Sequence, residues 1–207
     1  MNKKKIIIIT ILVVLLLFIG YTLRKYIIIK DLQKNIETHI SSTNYQLKII
    51  RNDSGVITTY NYNKKDNKIA YFIEKNDNGN INKLSIYDSG KGVNCYSEIG
   101  DVKTLDHANK LVNGGIFNYL KDDTYGTLQY LIIAMKANIK SVEINGKSCY
   151  LIKNYADMKD RELYIEKDTG LCIQYIENEA KIEYNYEFGN VKDDIFVEPD
   201  ASQYNKK

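Results

Sequence analysis

The chain of 207 residues carries 29 Lys and Arg against 26 Asp and Glu, with one Pro, 18 Tyr and no Trp. Six of the positive charges lie within residues 3–30, ahead of the first acid, Asp31, so residues 31–207 are net negative and the formal +3 marks no nucleic-acid-binding surface. A single proline excludes a collagen-like or low-complexity chain, and the residues after position 30 suffice for one domain with its own core.

Ile6–Leu23 reads IIIITILVVLLLFIGYTL, in which only Thr10, Tyr21 and Thr22 carry polar groups. As a helix it spans about 27 Å, close to the hydrocarbon thickness of a bilayer. The expected reading is an uncleaved signal anchor; a cleaved signal peptide and a buried core helix are the alternatives. The run ends in Gly20-Tyr21-Thr22-Leu23-Arg24-Lys25, which offers neither small residues spaced for cleavage nor a lipobox cysteine. Lys3–Lys5 and the α-amino group outweigh Arg24 and Lys25, which puts the amino terminus inside. The expected organisation is a cytoplasmic stub (1–5), a transmembrane anchor (6–23), a linking amphipathic helix (24–43) and an extracytoplasmic domain (44–204). Localisation is then the cell membrane, single-pass, with the carboxyl-terminal domain outside the cytoplasm.

After the anchor, Ile28, Leu32, Ile36 and Ile40 recur every four residues, the period of an amphipathic helix. The period then falls to two. Tyr45/Leu47/Ile49, Val56/Thr58/Tyr60/Tyr62, Ile69/Tyr71/Ile73 and Leu84/Ile86 alternate with mostly polar neighbours. Asp53-Ser54-Gly55, Asn76-Asp77-Asn78-Gly79 and Asp88-Ser89-Gly90 separate them as turns. A further strand follows around Gly92–Glu98. Leu105–Val112 reads as a short helix closed by Asn113-Gly114-Gly115. A second helix, capped by Thr124, puts Leu128, Leu131, Ile132 and Met135 on one face, expected to pack across the sheet. Strands resume over Ile139–Ile144, Lys147–Tyr155, Glu162–Lys167 and Leu171–Glu177. Ile182, Tyr184, Tyr186 and Phe188 form the cleanest half-buried strand. The fold class is α+β: a transmembrane helix, then a large curved antiparallel sheet of about nine to eleven strands, a half-barrel with helices on its concave face.

Leu163–Leu171 with its Asp168-Thr169-Gly170 turn, the Tyr-rich strand Ile182–Phe188 and the closing run Asp194-Ile-Phe-Val-Glu-Pro-Asp200 resemble the carboxyl-terminal half of LolA-like proteins. There a strand–DxxTG–strand hairpin, an alternating Tyr-rich strand and a final FxxP segment recur. The resemblance is best over 139–204. It implies a half-open sheet wrapped around helices and enclosing an apolar cavity. Members of that superfamily include lipoprotein carriers, lipid-binding envelope lipoproteins and sensor domains of some sigma-factor regulators. This chain departs from the carriers in its tether, and none of Arg24, Arg51 and Arg161 is matched to their lid-locking arginine.

No catalytic or cofactor constellation emerges. His39 and His107 have no partner at metal-ligand spacing, and no P-loop, GxGxxG, GxSxG or SxxK motif occurs. Asp122-Asp123 and Asp193-Asp194 read as turn formers. The protein is expected not to be an enzyme and to need no cofactor or metal. Cavity candidates are Tyr60, Tyr62, Tyr71, Leu128, Leu131, Ile132, Met135, Tyr184 and Tyr186, apolar walls with hydroxyls suited to an amphiphile. The expected function is a tethered module holding a lipid or lipoprotein tail; the alternative is an envelope protein-interaction or sensing domain. Cys95, Cys149 and Cys172 are expected as free thiols.

Overall fold

A computed structural model describes residues 3–77, 79–108, 115–156 and 158–206. Among the described residues, two α-helices and a large, mostly antiparallel set of twelve strands make the chain mainly β. In order these are α1 (Lys3–Ile40), β1 (Asn44–Asp53), β2 (Val56–Lys65), β3 (Lys68–Asp77), β4 (Asn80–Asp88), β5 (Val93–Ile99) and β6 (Val102–Ala108). Then follow α2 (Thr127–Lys136), β7 (Asn138–Ile144), β8 (Lys147–Tyr155), β9 (Met158–Glu166), β10 (Cys172–Glu177), β11 (Ala180–Phe188) and β12 (Asn205–Lys206). The chain divides into two compact units, the first Met1–Glu37 with Asn118–Leu171, the second Thr38–Phe117 with Cys172–Lys207.

In the first unit, the anchor and linking helices expected separately belong to one unbroken helix, α1. Its apolar amino-terminal part is long enough to cross a membrane and has no buried residue in its most apolar stretch. Its buried side is Lys25, Ile29, Leu32, Gln33 and Ile36, and not the expected line through Ile28 and Ile40; Ile40 is exposed. Steps of four residues overshoot one helical turn by about 40°, so a stripe that stays on one face alternates steps of three and four.

The meander β7-β8-β9 aligns Ile139, Ile152 and Leu163 across three strands. Ile152, Leu163 and Ile165 are fully buried. Beyond β9 the chain turns tightly, the Gly170 N–H donating to the Glu166 carbonyl at 2.9 Å. Gly170 has φ of +70°, and a Cβ there would run into the Leu32 carbonyl oxygen and the Ile36 amide nitrogen of α1. The turn glycine is thus also the point on which α1 rests, and Asn35 Nδ2 donates to the Lys167 carbonyl at 3.0 Å beside it. Gln33 Nε2 and the Tyr155 hydroxyl both donate to the Leu120 carbonyl, tying α1 to the connection before α2. Burial raises the Tyr155 pKa, so it remains a donor at neutral pH.

The expected cap of α2 is displaced. Gly126 occupies the N-cap, its N–H donating to Gln129 Oε1 at 2.9 Å. Thr124 lies upstream, where its hydroxyl and N–H both donate to Asp122 Oδ1 and hold that carboxyl below its ordinary pKa. Asp122 is a turn former, as its sequence context predicts.

The second unit is ordered β12-β6-β5-β4-β3-β2-β1-β11-β10, antiparallel except where β12 runs parallel to β6. Leu105–Ala108, expected in a helix, belong to β6; the rest of that expected helix, 109–112, lies outside the described residues. β6 pairs residue by residue with β5, which sets Leu105 opposite Tyr96. One face of the sheet carries Ala70, Tyr87, Tyr96 and Leu105, covered by Ile195, Phe196, Ala201 and Tyr204 from the carboxyl-terminal segment. Polar clasps secure it. Glu198 Oε2 accepts from Tyr96 Oη and Asn94 Nδ2, both at 2.7 Å, and the Tyr204 hydroxyl donates to Glu98 Oε1 at 2.6 Å. The bond from Tyr204 holds the Glu98 carboxyl below its ordinary range and pushes the Tyr204 phenol up to about 12.

Cys95, Cys149 and Cys172 form no disulfide; Cys149 and Cys172 are fully buried and Cys95 is half-buried. Burial raises the pKa of Cys95 and Cys149, which lowers their thiolate fraction. Alkylation without reductant should therefore add three labels after denaturation and label Cys95 first in the native protein. An intact mass with fewer labels after denaturation would reveal a disulfide.

Candidate functional site

The face of the second unit opposite the carboxyl-terminal segment collects the tyrosines. Because side chains alternate along a strand, the pairing registers set them in rows across the sheet. One row runs Tyr186, Leu47, Tyr62, Tyr71, Ile86 and Cys95. The next runs Tyr184, Ile49, Tyr60, Ile73, Leu84 and Ser97. A third places Arg51, Thr58 and Lys75 side by side at the far end.

Burial grades along these rows. Leu47, Tyr62 and Tyr184 are buried, whereas Ile49, Tyr60, Tyr71, Ile73, Leu84 and Ile86 are only half-covered. The rings touch one another. Tyr62 meets Tyr45 in a stack at 5.8 Å and Tyr71 edge-on at 5.9 Å, while Tyr184 stacks on Tyr186 at 6.3 Å. Each contact adds about 0.5–1.5 kcal/mol beyond the area it buries. Burial raises the pKa of Tyr45, Tyr62 and Tyr71, so these hydroxyls stay protonated and able both to donate and to accept.

Two open grooves lie on this face. One, of about 620 Å³, is lined by Arg51, Asp53, Val56, Thr58, Tyr60, Ile73 and Lys75. The other, of about 310 Å³, is lined by Leu84, Cys95, Ser97, Ile99, Val102, Thr104 and Asp106. The expected candidates Tyr60, Tyr62, Tyr71, Tyr184 and Tyr186 thus share one face. Arg51 and Lys75 were missed because charged residues near strand ends are ordinarily solvated; only the register shows them beside Tyr60 and Ile73. The other four candidates belong to the first unit. There α2 buries Tyr130, Ile133 and Ala134, while Leu128, Ile132 and Met135 are exposed. The sequence pattern marks an apolar face of α2, but the core lies on the opposite one.

Among the described residues no group of three or more His, Cys, Asp and Glu side chains is placed to hold a metal ion. His107 Nδ1 is 2.7 Å from Asn94 Oδ1, and His39 packs against the Phe188 ring. What the site offers is contact area, hydroxyls and a few charges.

No family model matches the chain, and no curated protein matches it in sequence. Solved structures do. An uncharacterized conserved protein from Thermus thermophilus aligns over 86% of this chain and 98% of its own, at 10% identity and a TM-score of 0.50. That protein shares the fold. MucB aligns over 82% of this chain and 62% of its own with a TM-score of 0.45, and MucB in complex with MucA(peri) with 0.39, each at 10% identity. The chain therefore aligns with less than two thirds of MucB's length.

Proposed function

We propose that the chain is a membrane-tethered, extracytoplasmic binding domain of LolA-like fold. It performs no catalysis and lays an extended segment of an envelope protein across the tyrosine-lined face of its second unit. Ile6–Leu23 is the tether, and the three lysines ahead of it keep the amino terminus in the cytoplasm. The reading is carried by one observation: Ile49, Tyr60, Tyr71, Ile73 and Leu84 form a half-covered apolar band over four adjacent strands, ending beside Arg51, Asp53 and Lys75. Aromatic surface with charges of both signs at its margin suits a polypeptide, which brings apolar side chains and backbone polar groups together. A second reading, an acyl chain of a lipid or lipoprotein in the same groove, is favoured by its volume of about 620 Å³ and the Tyr60 hydroxyl.

Photo-cross-linking from the full chain in its own membrane separates the two. A benzophenone side chain at Tyr60 or Ile73 should give a discrete protein adduct, and one at Glu74, whose side chain points to the other face of β3, should not. Tyr60→Asp should reduce the yield from Ile73 several-fold. Adducts with the mass of an acyl chain would support the second reading. The absence of any adduct from Tyr60 and Ile73 would sink both.

A further inference from the structure

We propose that α2 is a membrane-dipping helix, its outward face of Leu128, Leu131, Ile132 and Met135 lying among the acyl chains of the outer leaflet. This rests on the reading of Ile6–Leu23 as the anchor. α2 is apolar on both sides: Tyr130, Ile133 and Ala134 are buried in the first unit, yet Leu128 is 69% exposed and Ile132 and Met135 are each 43% exposed. A helix with a second apolar face outside the core needs lipid or a partner to cover that face.

What covers the outer side follows from α1. That helix continues from the span into the first unit without a break, so depth along it is a ruler of about 1.5 Å per residue. An apolar groove of about 280 Å³ is lined by Phe18, Ile19, Thr22 and Leu23 of α1 and by Leu131, Ile132 and Met135 of α2. Those α1 residues occupy the last six positions of the span, reaching about 7–8 Å inward from its outer end. When the span is seated in a bilayer, the α2 residues across the groove lie at the level of the outer acyl chains and not in water.

The polar chemistry follows the same layering. Lys25, two residues past the span, donates from Nζ to the carbonyls of Met135 at 3.0 Å and Ala137 at 2.7 Å, which gives these acceptors at the carboxyl end of α2 a donor away from lipid. At the other end Gln129 satisfies the Gly126 N–H. Arg24 and Lys136 are exposed at the level where phosphate headgroups begin, and Tyr21, 54% exposed, stands where interfacial aromatics gather. The outer face of α2 is thus apolar, with a basic residue joined to its carboxyl end and others at the boundary, the pattern of an interfacial helix.

The native chain has no Trp, so single substitutions read depth without background. Full-length Leu128→Trp and Ile132→Trp, with Val14→Trp as the mid-span reference, are reconstituted in phosphatidylcholine–phosphatidylglycerol vesicles. The acyl chains carry bromine either near the carbonyl end or near the bilayer midplane. Fluorescence at 128 and 132 should fall by more than half with bromine near the carbonyl end, fall less with midplane bromine, and resist aqueous iodide. Val14→Trp should show the reverse preference between the two lipids. Iodide quenching without bromine quenching at 128 and 132, beside a normal Val14→Trp, would put α2 in water and overturn the inference while leaving the anchor. Protection from both quenchers would assign the face to a protein contact, a second copy included, and also overturn it. Failure of bromine to quench Val14→Trp would overturn the anchor reading and the inference with it.

Discussion

Gly170→Ala should destabilise the first unit by about 3–4 kcal/mol, the sum of two costs. An L-residue at φ of +70° loses roughly 1–2 kcal/mol to backbone strain. Its methyl would also be driven into the backbone of α1 at Leu32 and Ile36, where only movement of the helix gives relief; overpacking of this kind costs about 1–3 kcal/mol. Gly146, in the turn between β7 and β8, provides the control. Its φ of +76° is nearly the same, but nothing lies within 4 Å of the position a Cβ would take. Gly146→Ala should therefore show the strain alone. Urea unfolding of both variants, followed by proteolysis or hydrogen exchange in α1, measures the difference. Equal losses would show that α1 does not rest on the turn.

Lys25→Met should cost about 2 kcal/mol and loosen α2 in particular. The side chain keeps its length, but the Met135 and Ala137 carbonyls lose a charged donor in a buried setting. The last carbonyls of a helix have no partner within it, and a buried acceptor left unpaired costs about 1–3 kcal/mol. The relief of no longer burying an ammonium offsets part of the loss. Hydrogen exchange should accelerate in Leu131–Ala137 while β1–β5 remain unchanged. Uniform acceleration across the chain would mean that Lys25 supports the fold as a whole and not the end of α2.

Strands were legible where one face is buried and the other is not. In β1 and β11 alternation identifies the inner residues Leu47 and Tyr184; in β3 and β4 it identifies the strands, but the buried residues, Ala70 and Tyr87, lie on the face opposite the expected one. β6 was not legible, because Val102 is exposed and Leu105 alone of its seven residues is fully buried. Such a strand owes its conformation to pairing with β5, which local pattern does not contain. In α2 the difficulty is the reverse: Leu128/Leu131/Ile132/Met135 and Tyr130/Ile133/Ala134 are both plausible core faces. Choosing between them requires knowing that β8 and the Leu120 connection lie on the second side. The tyrosine face was readable from strand parity. The grooves upon it were not, since Arg51 and Lys75 become neighbours only through the registers of β1, β2 and β3.

A helix without a hinge is a lever. Between Leu23 and Glu37 α1 has neither proline nor glycine, and its only internal glycine, Gly20, lies within the span. On the proposed anchoring, about 21 Å of rigid rod would connect the bilayer to the rest of the first unit. With the span in lipid, a change in tilt of about 10°, well inside the range that differences in membrane thickness impose, would sweep Glu37 through about 4 Å. The first unit, fastened to that rod at Gly170, Leu120 and Lys167, would swing with it. Lipid thickness and lateral tension would then act on this protein as mechanical inputs.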